Sequence, residues 1–194
     1  MLIGLTGKTG CGKSSAADIL RKLGAYTIDC DEIAHRILTF PEIKERVKSE
    51  FGLSVFNESG EIERKKLGTL VFANSEKLKK LNSIVHPAIV SEILSLADNA
   101  ENDFVVIDGS ELESSGIDEK CRHIIVIEAD ESVRLRRIME RDGIDKITAI
   151  RRINAQHNYS KKAVIVENNK GRDELYKKLE DIYTSILRKD CSPQ

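Results

Sequence analysis

Residues 2–22 read LIGLTGKTGCGKSSAADILRK: an apolar run, a glycine-rich turn, then a stretch of helix-forming composition. The turn, Gly7-Lys8-Thr9-Gly10-Cys11-Gly12-Lys13-Ser14, fits G-x-x-x-x-G-K-[ST] between a strand and a helix, the setting a phosphate-binding loop requires. Glycines let the backbone approach a phosphate without a Cβ clash, and successive N–H groups at a helix N-terminus form an anion cradle. On this reading Gly7, Gly10, Cys11, Gly12, Lys13, Ser14 and Ser15 contact ATP. Lys13 reaches the β and γ phosphates, and the Ser14 hydroxyl ligates Mg2+. The strand and helix flanks argue against a chance glycine turn.

Outward from this loop, short β-type runs alternate with helical stretches. Leu2–Thr6, Ala25–Ile28, Phe104–Asp108, His123–Ile127 and Ala163–Val166 are the candidate strands, several of them apolar throughout, as strands covered on both faces should be. Such alternation predicts an α/β fold of the P-loop NTPase type: a five-stranded, mainly parallel sheet flanked by helices, with ligands at the carboxyl ends of the strands. Between about 41 and 99 the strands disappear, and EIKERVKSEF, SEKLKKLNSIV and PAIVSEILSLA follow one another as helical patterns. We read this as a helical insertion into a single domain whose core is about 1–40, 100–133 and 160–194, with a lid at about 134–159. The last helix, from Arg172, carries Leu175, Leu179, Ile182 and Ile186 as an apolar stripe for docking on the sheet.

Composition bounds the function. The chain has 194 residues, 40% apolar and 32% charged, with three prolines, which suits a compact fold and argues against disorder. A net charge of -1 gives no global field toward nucleic acid or an anionic membrane, so neither is expected as a partner. No basic leader or membrane-length apolar run is visible, and a cytoplasmic location is expected. Cys11, Cys30, Cys121 and Cys191 lack metal-site or C-x-x-C spacing and read as reduced thiols.

The loop alone serves kinases, GTPases and motor ATPases. A guanine-specific N-K-x-D motif is missing, since Asn169-Lys170-Gly171-Arg172-Asp173 is one residue too long. That leaves a compact kinase for a small molecule. Strand two ends in Asp29-Cys30-Asp31, where a carboxylate could take the acceptor hydroxyl's proton, or both aspartates could be helix caps. Strand three ends in Asp108, either a metal-ligating aspartate or a turn-former before Gly109. Residues 134–152 hold seven basic residues against three acidic ones. In a small kinase, such a stretch closes as a lid whose guanidiniums neutralise the transferring phosphoryl group, while about half of it reads as a solvated face with i,i+4 ion pairs. Arg141 and Arg152, near apparent helix breaks, are the functional candidates.

Taken together these residues resemble the dephospho-coenzyme A kinase family. The likeness runs through Ile3-Gly4-Leu5-Thr6-Gly7, Leu23-Gly24-Ala25, Asp29-Cys30-Asp31-Glu32-Ile33-Ala34 and Arg64-Lys65-Lys66-Leu67-Gly68 with Val71-Phe72. It continues in His86-Pro87, Arg141-Asp142-Gly143, Arg152-Ile153-Asn154-Ala155-Gln156 and Val166-Glu167-Asn168. The resemblance implies ATP-dependent phosphorylation of the ribose 3'-hydroxyl of dephospho-CoA, with Mg2+. It implies that Asp31 acts as base or acceptor-positioning carboxylate alongside catalytic Lys13 and Arg141, and that Arg64, His86 and Asp108 serve the acceptor side. Arg141 and Arg152 then belong to the lid, and Asn168 lies near the adenine end of ATP. For His86, a buried histidine at the entry of a helix starting at Pro87 is an equal reading.

Three departures stand out. The family usually has Gly-Ile at Lys8-Thr9 and Thr at Ser15. It has I-P-L-L-F-E, an apolar wall, where this chain has Gly109-Ser110-Glu111-Leu112-Glu113-Ser114, and its Q-x-P or Q-x-S segment is Gln156-His157-Asn158-Tyr159 here. The polar replacement leaves open a kinase for another nucleoside or metabolite. A nucleotide-binding regulatory protein is a third reading, and the acceptor carboxylate Asp31 counts against it.

Overall fold

The computed structural model describes residues 1–154 and 159–190. Ala155, Gln156, His157 and Asn158, and Cys191 near the C-terminus, lie outside the described residues. In chain order the elements are β1 (Leu2–Gly7), α1 (Lys13–Lys22), β2 (Tyr26–Asp29), α2 (Cys30–Ile37), α3 (Pro41–Phe51), α4 (Arg64–Phe72) and α5 (Ser75–Asp98). There follow β3 (Val105–Asp108), α6 (Leu112–Ser115), β4 (His123–Glu128), α7 (Glu131–Asp142), α8 (Lys146–Asn154), β5 (Val164–Glu167) and α9 (Arg172–Asp190). The chain divides into two compact units, residues 1–28 with 100–194, and residues 29–99.

The first unit holds the sheet, in the order β2-β3-β1-β4-β5. β1 pairs in parallel with β3 and β4, and β4 with β5. A parallel sheet is covered on both faces, which is why β3 up to Asp108 and the middle of β4 read as apolar runs and are buried along their length. Ile3, Leu5, Ile125 and Ile127 pack with Ile19 and Leu20 of α1 and with the stripe of α9. In that stripe Leu175, Leu179 and Ile186 are buried and Ile182 is partly so. The carboxyl ends of β1, β3 and β4 therefore converge where the loop at 7–14 begins.

The second unit is helical, with α2, α3 and α4 each packed on α5. Here the structure departs from the periodicity. The segments SEKLKKLNSIV and PAIVSEILSLA are one 24-residue helix, with Pro87 inside it. Proline removes the N–H that would bond the Ser83 carbonyl, a loss that usually breaks or kinks a helix. Burial of Ile84, Val85, Ile89 and Ile93 on both sides of Pro87 holds the two halves to one packing surface. Arg46 of α3 donates to the neighbouring Ile84 carbonyl at 3.3 Å. His86 thus lies in mid-helix, half-buried, and not at a helix entry. No described helix is long and apolar enough to cross a membrane.

Candidate active site

The loop leaves β1 at Gly7 and enters α1 at Lys13. Its conformation demands glycine for reasons beyond phosphate access. Gly10 has φ 79°, and a Cβ there would stand 2.8 Å from the Arg134 carbonyl oxygen of α7. Gly12 has φ 98°, and a Cβ would collide with the Asn168 amide. Both positions combine left-handed backbone with the close approach of another segment, which only glycine tolerates. The Cys11 N–H donates to the Lys8 carbonyl at 3.1 Å, closing the turn. Cys11 is buried, and burial pushes its thiol pKa up.

The outward carbonyls of the loop are taken by two arginines and an asparagine. Arg134 Nε donates to Thr9 O at 2.9 Å, and Arg137 Nη1 approaches both Gly10 O and Cys11 O at 3.3 Å. Asn168 Nδ2 donates to Cys11 O at 2.7 Å, while its own backbone N–H is held by Glu128 O at 2.7 Å. Asn168, expected at the nucleotide, is buried and committed to the loop through its amide nitrogen. Arg134 and Arg137 were not among the expected site residues. The usable signal was their three-residue spacing on a helix that follows directly from a central strand.

On the inner side, Lys13 forms an ion pair with Asp108 at the end of β3, the lysine one-fifth exposed. Asp108 is 7% exposed, which disfavours a simple turn role, because buried carboxylates require partners. Ser14 is exposed in the first turn of α1, next to Lys13. Among the described residues there is no cluster of three or more metal-ligating side chains. A Mg2+ ion bound with substrate phosphates keeps several waters and takes only one or two protein oxygens. Ser14 and Asp108 carry side-chain oxygens that could hold such an ion, Asp108 being paired with Lys13 in this structure.

The candidate lid residues are in a different state. Arg141, in the last turn of α7, donates from Nε and Nη2 to Asp142 at 2.7 and 3.0 Å, and Arg152 of α8 pairs with the same carboxylate. Both arginine side chains are half-exposed or more. The guanidinium of Arg141 lowers the Asp142 pKa, and Asp142 raises that of Arg141. Gly143, with φ 62°, ends α7, and Ile138, Ala149 and Ile153 pack α8 against it.

The polar segment after β3 is accommodated without loss of core. Leu112 is 1% exposed and keeps the inward position, while Glu113 of α6 is half-buried and Ser114 exposed. Glu113 accepts the Ser160 N–H at 3.1 Å and the Ser160 hydroxyl, which lower its pKa. The neighbouring Asp118 is buried and accepts from Tyr159 OH at 3.1 Å and Lys161 Nζ at 2.7 Å. Burial first, and then Asp118, push the Tyr159 hydroxyl pKa up to about 12, so it remains a neutral donor. Glu113, Ser114 and Tyr159 border a cavity of about 490 Å³ beside the loop, lined also by Lys8, Ser110, Glu111 and Arg134.

In the helical unit, Asp29 Oδ1 accepts the backbone N–H groups of Asp31 at 2.8 Å and Glu32 at 3.3 Å, so Asp29 is the cap of α2. One cap suffices for one helix end. Asp31 is exposed and its carboxylate is not the capping group. Arg64 opens α4 and is exposed. Ser15 follows Ser14 in α1, half-buried.

The sequence model of dephospho-CoA kinase matches residues 1–174. The dephospho-CoA kinase of Fusobacterium nucleatum is 38% identical over 190 residues, which are 96% of this chain and 98% of the relative. That of Geobacillus kaustophilus is 36% identical over 187 residues, 92% of this chain and 93% of the relative. Among solved structures, the dephospho-CoA kinase from Campylobacter jejuni has a TM-score of 0.67 at 27% identity, covering 97% of this chain and 98% of its own. TT1252 from Thermus thermophilus reaches 0.81, also at 27%, covering 95% and 97%. A shikimate kinase from Acinetobacter baumannii, at 0.52 and 13%, shares the fold alone. Matched from its phosphate loop to the start of its last helix, and more than a third identical to relatives along nearly their whole length, the chain belongs to the dephospho-CoA kinase family.

Proposed function

We propose that this protein transfers the γ-phosphoryl group of ATP to the ribose 3'-hydroxyl of dephospho-CoA, giving CoA and ADP, the last step of coenzyme A biosynthesis. The observation that carries this reading is a complete phosphate loop, with Lys13 and Ser14 in place, in a chain whose family likeness spans nearly its full length. The bond from the γ-phosphorus to the β,γ-bridging oxygen breaks and one to the 3'-oxygen forms, while the hydroxyl proton passes to Asp31. Asp31 suits this role because Asp29 already fills the cap. Arg64 and His86 serve the acceptor side.

Lys13 exchanges Asp108 for the phosphates when nucleotide enters, a swap of one anionic partner for another that keeps the lysine charge paired. Asp108 then turns to the acceptor side or the metal. Ser14, together with the phosphates, would hold Mg2+, which would supply charge neutralisation on the transferring group. Arg141 and Arg152 leave Asp142 and add to that neutralisation. The reaction belongs in the cytoplasm, with no nucleic-acid or membrane partner.

The polar stretch Glu111–Ser114 favours one competing reading, a kinase for another small alcohol. A coupled ADP-release assay with ATP, Mg2+ and dephospho-CoA, with mass spectrometry of the product, separates the two. CoA is the expected product; bound ATP with no CoA formed, and turnover of another alcohol, would overturn the assignment.

A further inference from the structure

In an anion-binding loop the N–H groups converge on the ligand, so the carbonyls must point away, and each outward carbonyl needs a donor. Here three consecutive ones, on Thr9, Gly10 and Cys11, are met by Arg134, Arg137 and Asn168. Arg134 is 7% exposed, and its Nη2 is buried without a hydrogen-bond partner among the described residues. No carboxylate is recorded in ion-pair contact with either arginine among the described residues. Two guanidinium charges therefore stand behind the loop without a carboxylate ion-pair partner among the described residues, one of them buried, and a buried unpaired charge is costly. The anion that compensates them is the one the loop is built to take.

We propose that Arg134, Arg137 and Asn168 are positioning residues that hold the phosphate loop in its anion-binding form before nucleotide arrives, and that the arginine charges favour the phosphates through the loop. None of the three needs to touch the nucleotide. The close fit of Gly10 to the Arg134 backbone and of Gly12 to the Asn168 amide makes the loop glycines part of the same device. It rests on the reading that the loop binds a nucleotide, and it does not depend on the identity of the acceptor.

The test uses the full chain and ADP with Mg2+ as probe, by calorimetry, alongside ATP kinetics and thermal melting without nucleotide. Arg134→Met removes both donor and charge, while Arg134→Gln keeps a donor for Thr9 O. Hydrogen bonds to charged groups are worth enough that ADP affinity should fall roughly tenfold to a hundredfold in Arg134→Met, and by less in Arg134→Gln. The KM for ATP should rise in step, with kcat at saturating ATP within about threefold. Folded Arg134→Met with wild-type ADP affinity would overturn the proposal, and so would equal losses in the two variants. If Arg134→Met does not fold, Asn168→Ala and Arg134→Gln decide: both should weaken ADP, and unchanged affinity in both would overturn it. Failure of the wild-type protein to bind ADP would instead remove the nucleotide reading on which it rests.

Discussion

Two ends of one basic stretch behave differently. At its start, Arg134 and Arg137 are drawn onto backbone carbonyls of the phosphate loop, with no carboxylate recorded in ion-pair contact among the described residues. At its end, Arg141 and Arg152 are exposed and share one carboxylate, Asp142. The first pair is committed to protein geometry before any ligand arrives. The second is parked on an acid it can leave at small cost, because exposed ion pairs contribute little. Residue type and charge are the same at both ends; only the surroundings differ.

That division is exposed first by Arg141→Met. If Arg141 acts on the transferring phosphoryl group, kcat should fall by about a thousandfold, the order of magnitude such arginines contribute. ADP affinity, which the loop sets, should change by less than about threefold, a pattern of lost transition-state binding. Loss of ADP affinity with kcat intact would reverse the comparison. Arg137→Met should do the opposite: roughly tenfold weaker ADP binding, with a smaller change in kcat at saturating ATP. Arg137→Lys should recover part of that loss, since a lysine keeps the charge but offers no planar fork to span Gly10 O and Cys11 O. Full loss in Arg137→Lys would mean that the shared geometry matters more than the charge.

The same contrast marks what could be read from the chain. The five strands, the loop and the helical middle were legible because apolar runs, glycine spacing and helical periodicity are local signals. The contacts of Arg134 and Arg137 were not, because their partners lie more than a hundred residues away in sequence. The cap at Asp29 could not be separated from Asp31 either, since both are cap-type residues two positions apart and only the hydrogen bonds distinguish them. Pro87 misled for the opposite reason: its local rule, which predicts a helix start, yields to the apolar surface buried on both sides of it. The polar segment after β3 was visible as a departure, but its match to Tyr159, Ser160 and Lys161 was not.

The smallest effect concerns the parking acid itself. Asp142→Asn weakens the hold on Arg141 and Arg152, so kcat/KM for ATP should rise by no more than about two- to fivefold, the range an exposed pair can supply. A large fall would instead make Asp142 part of the catalytic arrangement. Its pH dependence sharpens the point. Arg141 first, and then Arg152, hold the Asp142 carboxyl below the usual carboxylate range, so the folded state binds that proton more weakly than the unfolded chain does. A lowered folded pKa contributes stability that is present above the unfolded value, near pH 4, and is lost as the pH falls through the folded one. The melting temperature of the wild type should therefore exceed that of Asp142→Asn slightly at neutral pH, and the gap should close on acidification below about pH 4. A gap that persists once the carboxyl is protonated would show that Asp142 holds the turn by its shape, with the arginine charges incidental to it.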